Sequence, residues 1–309
     1  MGDFKSPRKA PGLRPGDVKA VNDMRNSFPG GAAGADARQN DRDLCVCRVT
    51  DYTDADLLAG LELYYQMIPG DQRQGTAGDI VAQLRDVRRR RAEGLCQVED
   101  CHFVAKLDGR VCGYLQLFLD PAETFAFIGF LAVRASLSLG KQMAWVVLRM
   151  CQEIVRSAGA DRQLGACNCA FVELDDPGRA ADEKRRRRGT ARIARFAAIC
   201  RDCGGELRFL DFDYVQARLG LPADCPGPER PHLLGYISRA VPGCMDRETV
   251  CNVLRFIYTR LNPEGVYGGD AQKDALYRSY LNELCTRECA RVPASVPLLS
   301  AHEVIARVH

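Results

Sequence analysis

The sequence is poor in aromatic side chains, which make up 7% of its 309 residues with a single tryptophan, and it has only four histidines. Binding of single-stranded nucleic acid needs aromatic platforms interleaved with cations. The two densest basic runs, KRRRR at 184–188 and RRRR at 88–91, contain no aromatic residue, so nucleic acid is not the expected partner. The histidines (His102, His232, His302 and His309) form neither a triad nor a metal spacing. No run reaches the roughly 18 apolar residues that cross a bilayer. The opening MGDFKSPRKAPGLRPGD has charge but no apolar core behind it, so it does not read as a secretory signal. Without one, the 15 cysteines read as reduced thiols packed as small hydrophobes rather than as a disulfide framework. Together these features predict a soluble, cytoplasmic protein with no membrane span. Internal repeats are absent, and the net charge of +3 says little about partners.

Several short patterns carry competing readings. Met-Gly-x-x-x-Ser fits N-myristoylation at Gly2 through Ser6, and the same residues read equally as a plain tail. Cys200-x-x-Cys203 has a metal-ligand spacing, and Cys167-x-Cys169 has thiols to add to it. However, Cys200 continues the apolar helix face through Ile193 and Phe196, and no second CxxC recurs. No metal is expected.

Residues 1–44 are rich in Gly, Pro, Asp, Asn and Arg without apolar periodicity, which predicts a disordered tail. LCVCRV at 44–49 suits a first strand. Leu57, Leu58, Leu61, Tyr65 and Ile68 then form a helical stripe ended by Pro69-Gly70, and Ile80, Leu84 and Val87 form a second. HFVAK, the Asp108-Gly109 turn and VCGYLQLFL read as a hairpin. FAFIGFLAV at 125–133 is nearly continuous in apolar residues, as a strand buried on both faces would be. A helix is expected over 139–154, a strand at CNCAFVEL, a basic helix over 186–203 stopped by Gly204-Gly205, and last strands at 207–212 and 232–238. Two helical stripes follow, Val250, Val253, Leu254, Ile257 and Leu261, then Leu276, Tyr280 and Leu284. The order predicts a mixed α/β fold, a mostly antiparallel sheet flanked by helices over 45–240, with a C-terminal helical extension over 241–309.

That order of elements resembles the GNAT superfamily of acetyl-CoA-dependent N-acetyltransferases. HFVAKLDGRVCGYLQLFL resembles the family's second and third strands, and FIGFLAV the fourth strand, which ends in Leu-Ala-Val. RIARFAAICRDCGGELRFLDFDYVQ resembles the late helix and strand of a bacterial subgroup, through Phe196, Gly204 or Gly205, Tyr214, Val215 and Gln216. YYQMIPGDQR resembles the junction of the first two helices.

The resemblance implies a site. The pantetheine arm of acetyl-CoA would pair with the backbone of Phe130, Leu131, Ala132 and Val133, where the fourth and fifth strands splay apart. The pyrophosphate would sit on the N–H groups of the next helix, reached through Ser136, Ser138, Gly140 and Lys141. The family's loop has two or more glycines there, and this one has Gly140 alone. Glu173 is the candidate base or amine ligand. The family's late-helix tyrosine follows a phenylalanine, but here Ala197 follows Phe196, so Tyr214 becomes the candidate acid. Gln72, Arg73 and Gln216 would line the acceptor pocket. The partners implied are a CoA thioester and an amine acceptor, and a homodimer is compatible. A GNAT-like module without catalysis remains the alternative.

Overall fold

The computed structural model describes residues 44–49, 51, 53–67, 98–119, 125–134, 167–218, 230–261 and 270–308, together with 81, 85, 89, 92 and 93. The expected tail, most of the second helix, the helix over 139–154, and Gln72, Arg73, Ser136, Ser138, Gly140 and Lys141 lie outside the described residues.

Among the described residues, ten strands form one sheet. In chain order they are β1 Leu44–Val49, β2 Glu99–Leu107, β3 Arg110–Leu119, β4 Phe125–Val133, β5 Cys169–Asp175, β6 Glu206–Leu210, β7 Tyr214–Gln216, β8 Arg230–Ser238, β9 Cys244–Asp246 and β10 Ser295–Ser300. The spatial order is β1-β2-β3-β4-β5-β8-β6-β10-β9, with β7 also on β8. Every pairing is antiparallel except β4 with β5. The helices are α1 Ala55–Met67, α2 Glu183–Asp202, α3 Arg247–Arg255, α4 Ala271–Arg291 and α5 Ala301–Ala306. A π-helical turn, Phe256–Arg260, continues α3.

The local chemistry explains these boundaries. The β2–β3 hairpin closes on two residues with positive φ, Asp108 (50°) and Gly109 (73°), as a tight twisted turn requires. Asp182 caps α2 by accepting from Arg185 N at 2.7 Å. The far end of α2 closes as a Schellman motif. Gly205 N donates to Cys200 O and Gly204 N to Arg201 O, both at 2.9 Å, with Gly204 at φ +76°.

Each face of the sheet carries its own layer. On one, α2 and α5 cover Phe103, Leu115, Leu117, Ile128 and Val172 through Ile193, Phe196, Ile199 and Val304. On the other, α1 covers β2–β4 through Leu57, Leu61 and Tyr64. Beside it, α3, the π turn and α4 cover Phe125, Phe127, Phe171 and Tyr214. Two stripes are rotated from the sequence reading. In α1, Leu58 points outward and Gly60 inward, because a Cβ at Gly60 would come within 2.8 Å of the Tyr114 ring. In α4, Leu276 is 53% exposed, and Tyr277, Leu281 and Leu284 face the core.

The C-terminal segment supplies sheet as well as helix. β10 takes β9 along one stretch (Ser295, Val296 and Pro297) and β6 along the next (Leu298, Leu299 and Ser300). Pro297 sits at the changeover, where its missing N–H interrupts no ladder, and its carbonyl still accepts from Asp211 N at 2.9 Å.

Candidate active site

The site begins where the parallel pair ends. β4 and β5 pair from Phe125↔Cys169 to Ile128↔Val172 and no further. Beyond that point β5 stays on β8, through Glu173↔Leu234 to Asp175↔His232, while β4 stays on β3 up to Val133↔Gly113. The two central strands diverge. Phe130, Leu131, Ala132 and Val133 therefore have no strand partner on their β5 side among the described residues.

A β-bulge marks the fork. The register of β3 against β4 jumps between Gln116↔Phe130 and Leu117↔Ile128, which leaves Gly129 as the extra residue. Glycine is required there: a Cβ would meet Phe118 Cε2 at 2.5 Å. The extra residue also returns Phe130 to the α1 face, where its ring lies 4.2 Å from that of Tyr64.

On the other arm, three of the residues expected from sequence meet. Glu173 is half-buried on β5 and shares a sheet face with Phe171, two residues back. Tyr214 donates its hydroxyl to Glu173 Oε1, and Gln216 Nε2 donates to Glu173 Oε2 at 2.7 Å. Tyr214 and Gln216 are two apart on β7 and reach the same face. Tyr214 is 1% exposed. Burial first, then the Glu173 charge and the neighbouring Tyr258 hydroxyl, push its ionisation well above the usual tyrosine range. Its proton therefore stays on the phenol, directed at the carboxylate.

The support behind this cluster comes from the C-terminal layer, which the sequence reading did not anticipate. Tyr258, in the π turn, stacks on Tyr214 at 6.1 Å and 14° and donates to Val215 O at 2.6 Å. From α4, Tyr277 donates to Arg218 O at 2.6 Å, and Tyr280 accepts from Arg218 N at 3.3 Å. Three tyrosines thus fasten the backbone of β7 and of Arg218, two residues beyond it.

A second polar group lies on the same sheet face, beneath α1 and beside the bulge. The side chain of Asp100 on β2 and that of Gln116 on β3 are buried, as are His102 and Tyr114. Gln116 Nε2 donates to both Asp100 oxygens at 3.0 Å. His102 Nε2 lies 3.2 Å from Asp100 Oδ1, and His102 Nδ1 lies 2.9 Å from the Tyr114 hydroxyl. The sequence signal for it is a glutamine inside the otherwise apolar run VCGYLQLFL, on a strand that pairs on both sides.

Other candidates fall elsewhere. Cys200 is buried and its thiol is pushed up to about 12 by burial, with the Cys203 charge adding to it, as for a packed thiol. Among the described residues no group of metal-ligating side chains converges, and no helix is long and apolar enough to cross a membrane. A cavity of about 330 Å³ lies on the C-terminal helices, between Arg247, Arg255 and the thiols of Cys251, Cys285 and Cys289, and holds none of the residues above.

Among solved structures, the chain is similar to a protein assigned to the GNAT acetyltransferase family from Bacteroides thetaiotaomicron. The TM-score is 0.44 at 13% identity, over 69% of this chain and 97% of that one. An acetyltransferase from Salmonella typhimurium that modifies the N-terminal serine of a ribosomal subunit protein gives 0.38 at 13%, over 65% and 96%. An IAA acetyltransferase from Bacillus cereus gives 0.35 at 16%, over 63% and 98%. At such distances the likeness carries no argument about activity. No family model and no curated protein sequence matches the chain.

Proposed function

We propose that the chain is an N-acetyltransferase of the GNAT type, transferring an acetyl group from acetyl-CoA to a primary amine. The observation that carries this reading is the fork itself. One arm offers the free backbone edge of Phe130, Leu131, Ala132 and Val133, and the other offers a carboxylate held by two donors at the first residue past the last parallel pair.

An extended amide-bearing arm fits the first feature, because unpaired strand N–H and C=O groups accept an added strand. Acetyl-CoA has such an arm and supplies the activated acetyl group when bound. The second feature suits the acceptor. An ammonium is not a nucleophile until it loses a proton, and Glu173 takes that proton directly or through a water. Each Glu173 oxygen holds one donor and has a lone pair left for the amine. Tyr214 and Gln216 are positioning residues that fix the carboxylate plane.

Titration calorimetry with acetyl-CoA, followed by a thiol-release assay over a panel of primary amines, tests the reading. Micromolar binding and turnover of at least one amine are expected. Binding without turnover of any amine would favour the module reading, for which Ala197 in place of the family's tyrosine argues. Absence of binding up to millimolar acetyl-CoA would end the acetyltransferase reading.

A further inference from the structure

The buried amide of Gln116 is half satisfied. Its nitrogen donates to both oxygens of Asp100 at 3.0 Å. A carboxylate only accepts, so this pairing settles which end of the amide is which. The oxygen must point the other way, and there Gln116 Oε1 has no hydrogen-bond partner among the described residues, although Gln116 is 3% exposed. Leaving a buried acceptor unmade costs about 1–3 kcal/mol. Such an orphan calls for a ligand or an ordered water.

Its position supplies the direction. Oε1 lies 3.5 Å from where a Cβ on Gly129 would stand, and Gly129 is the bulge residue at which β4 leaves β5. Gln116 pairs across the sheet with Phe130, the first residue of the free edge. It also projects on the same face as Glu173, between the α1 layer and the C-terminal layer. The orphan oxygen, on β3 behind the β4 arm, and the Glu173 carboxylate, on the β5 arm, therefore share one sheet face at the fork.

We infer that Gln116 Oε1 is a substrate-specificity element. It accepts a hydrogen bond from an N–H of the acyl acceptor, so the site selects an amine that can donate to Glu173 and to Gln116 at once. Asp100 acts through Gln116 as a positioning residue that keeps the oxygen turned toward the fork. This inference rests on the acetyltransferase reading and deepens it.

The test uses the full chain and the best-used amine from the panel, with acetyl-CoA as donor. In Gln116→Met, which keeps the volume and removes the acceptor, the KM for that amine should rise at least tenfold. The KM for acetyl-CoA should stay within twofold. Gln116→Asn, which keeps the amide but withdraws its oxygen, should move the amine KM in the same direction and covers the case in which the methionine variant does not fold. An unchanged amine KM in a folded variant overturns the inference while the acetyltransferase reading stands. A rise in the acetyl-CoA KM alone also overturns it, by assigning the oxygen to the donor. A wild-type chain that neither binds acetyl-CoA nor turns over any amine removes the reading and the inference together.

Discussion

At the scale of single residues, the carboxylate of Glu173 is the group whose loss should matter most. Glu173→Gln is expected to lower kcat/KM for the amine by roughly 10²- to 10⁴-fold, the span of general-base contributions, and to leave the acetyl-CoA dissociation constant within about twofold. Steady-state kinetics with calorimetry check both. Tyr214→Phe removes the donor to Oε1 of that carboxylate, while Oε2 keeps Gln216. A fall of about 1 kcal/mol in unfolding free energy is expected, with a smaller kinetic loss than in Glu173→Gln, read by denaturant melts and the same assay. Thiol chemistry offers a check away from the site. Cys289 is pushed up to about 12 by burial and by its Cys251 and Cys285 neighbours, whereas Cys244 is exposed. Since only the thiolate alkylates, iodoacetamide at pH 8 should label Cys244 more than roughly tenfold faster than Cys289 by mass spectrometry. The residues of this site were unequally legible. Glu173 stood at the end of an expected strand, whereas Tyr214 and Gln216 were reached only through the family resemblance. Gln116 and Asp100 are polar residues within paired strands. Sequence alone cannot say whether such a residue faces solvent or is sealed beneath a helix, since that depends on α1 lying over β2 and β3.

Among the elements, the end of α2 gives the cleanest expectation. A Cβ at Gly204 would meet nothing within 4 Å, yet its φ is +76°. The cost of Gly204→Ala is then conformational alone, about 1 kcal/mol, measurable as a shift of the urea midpoint without change of slope. The last helix is tied down differently. Arg307, just past α5, grips Asp211 at the end of β6 through two bonds of 2.6 and 3.1 Å. That hydrogen bond, partly opposed by burial, holds the Asp211 carboxyl below its usual 3.8. A depressed carboxylate stabilises the fold above 3.8, and that stability is lost as the pH falls through the native value. The difference in melting temperature between wild type and Asp211→Asn should be present at pH 6 and should shrink toward pH 3. The two misread helix stripes have one origin. Heptad-like spacing locates a helix but fixes its rotation only loosely, and in α1 the deciding residue was a glycine, Gly60, which periodicity counts as neutral while Tyr114 demands it. β10 escaped notice because a six-residue strand containing Pro297 looks like a loop until its two partners are known.

For the whole molecule, the sheet runs unbroken from β1 to β9, and its last-made strand is an interior one: β10 lies between β6 and β9. The order of elements was readable in the segment 45–240 because its apolar runs are bounded by turn and cap signals. The closure by β10 was not, because its partner β6 lies some 85 positions earlier and the pairing rests on burial rather than on any local signal. Removing residues 241–309 would uncover Phe125, Phe171 and Tyr214 and free one edge of β6. Such a truncated chain is expected to lose its cooperative melt by calorimetry rather than survive as a smaller domain. The tyrosine clamp on β7 adds a consequence in time. Tyr258, Tyr277 and Tyr280 leave the ribosome after Glu173 and Gln216 do, so a growing chain has its carboxylate long before it has the means to aim it. The proposed site is therefore complete only once Tyr280 has been made, and a copy ended before that point has the carboxylate without the side chains that hold its neighbours in place.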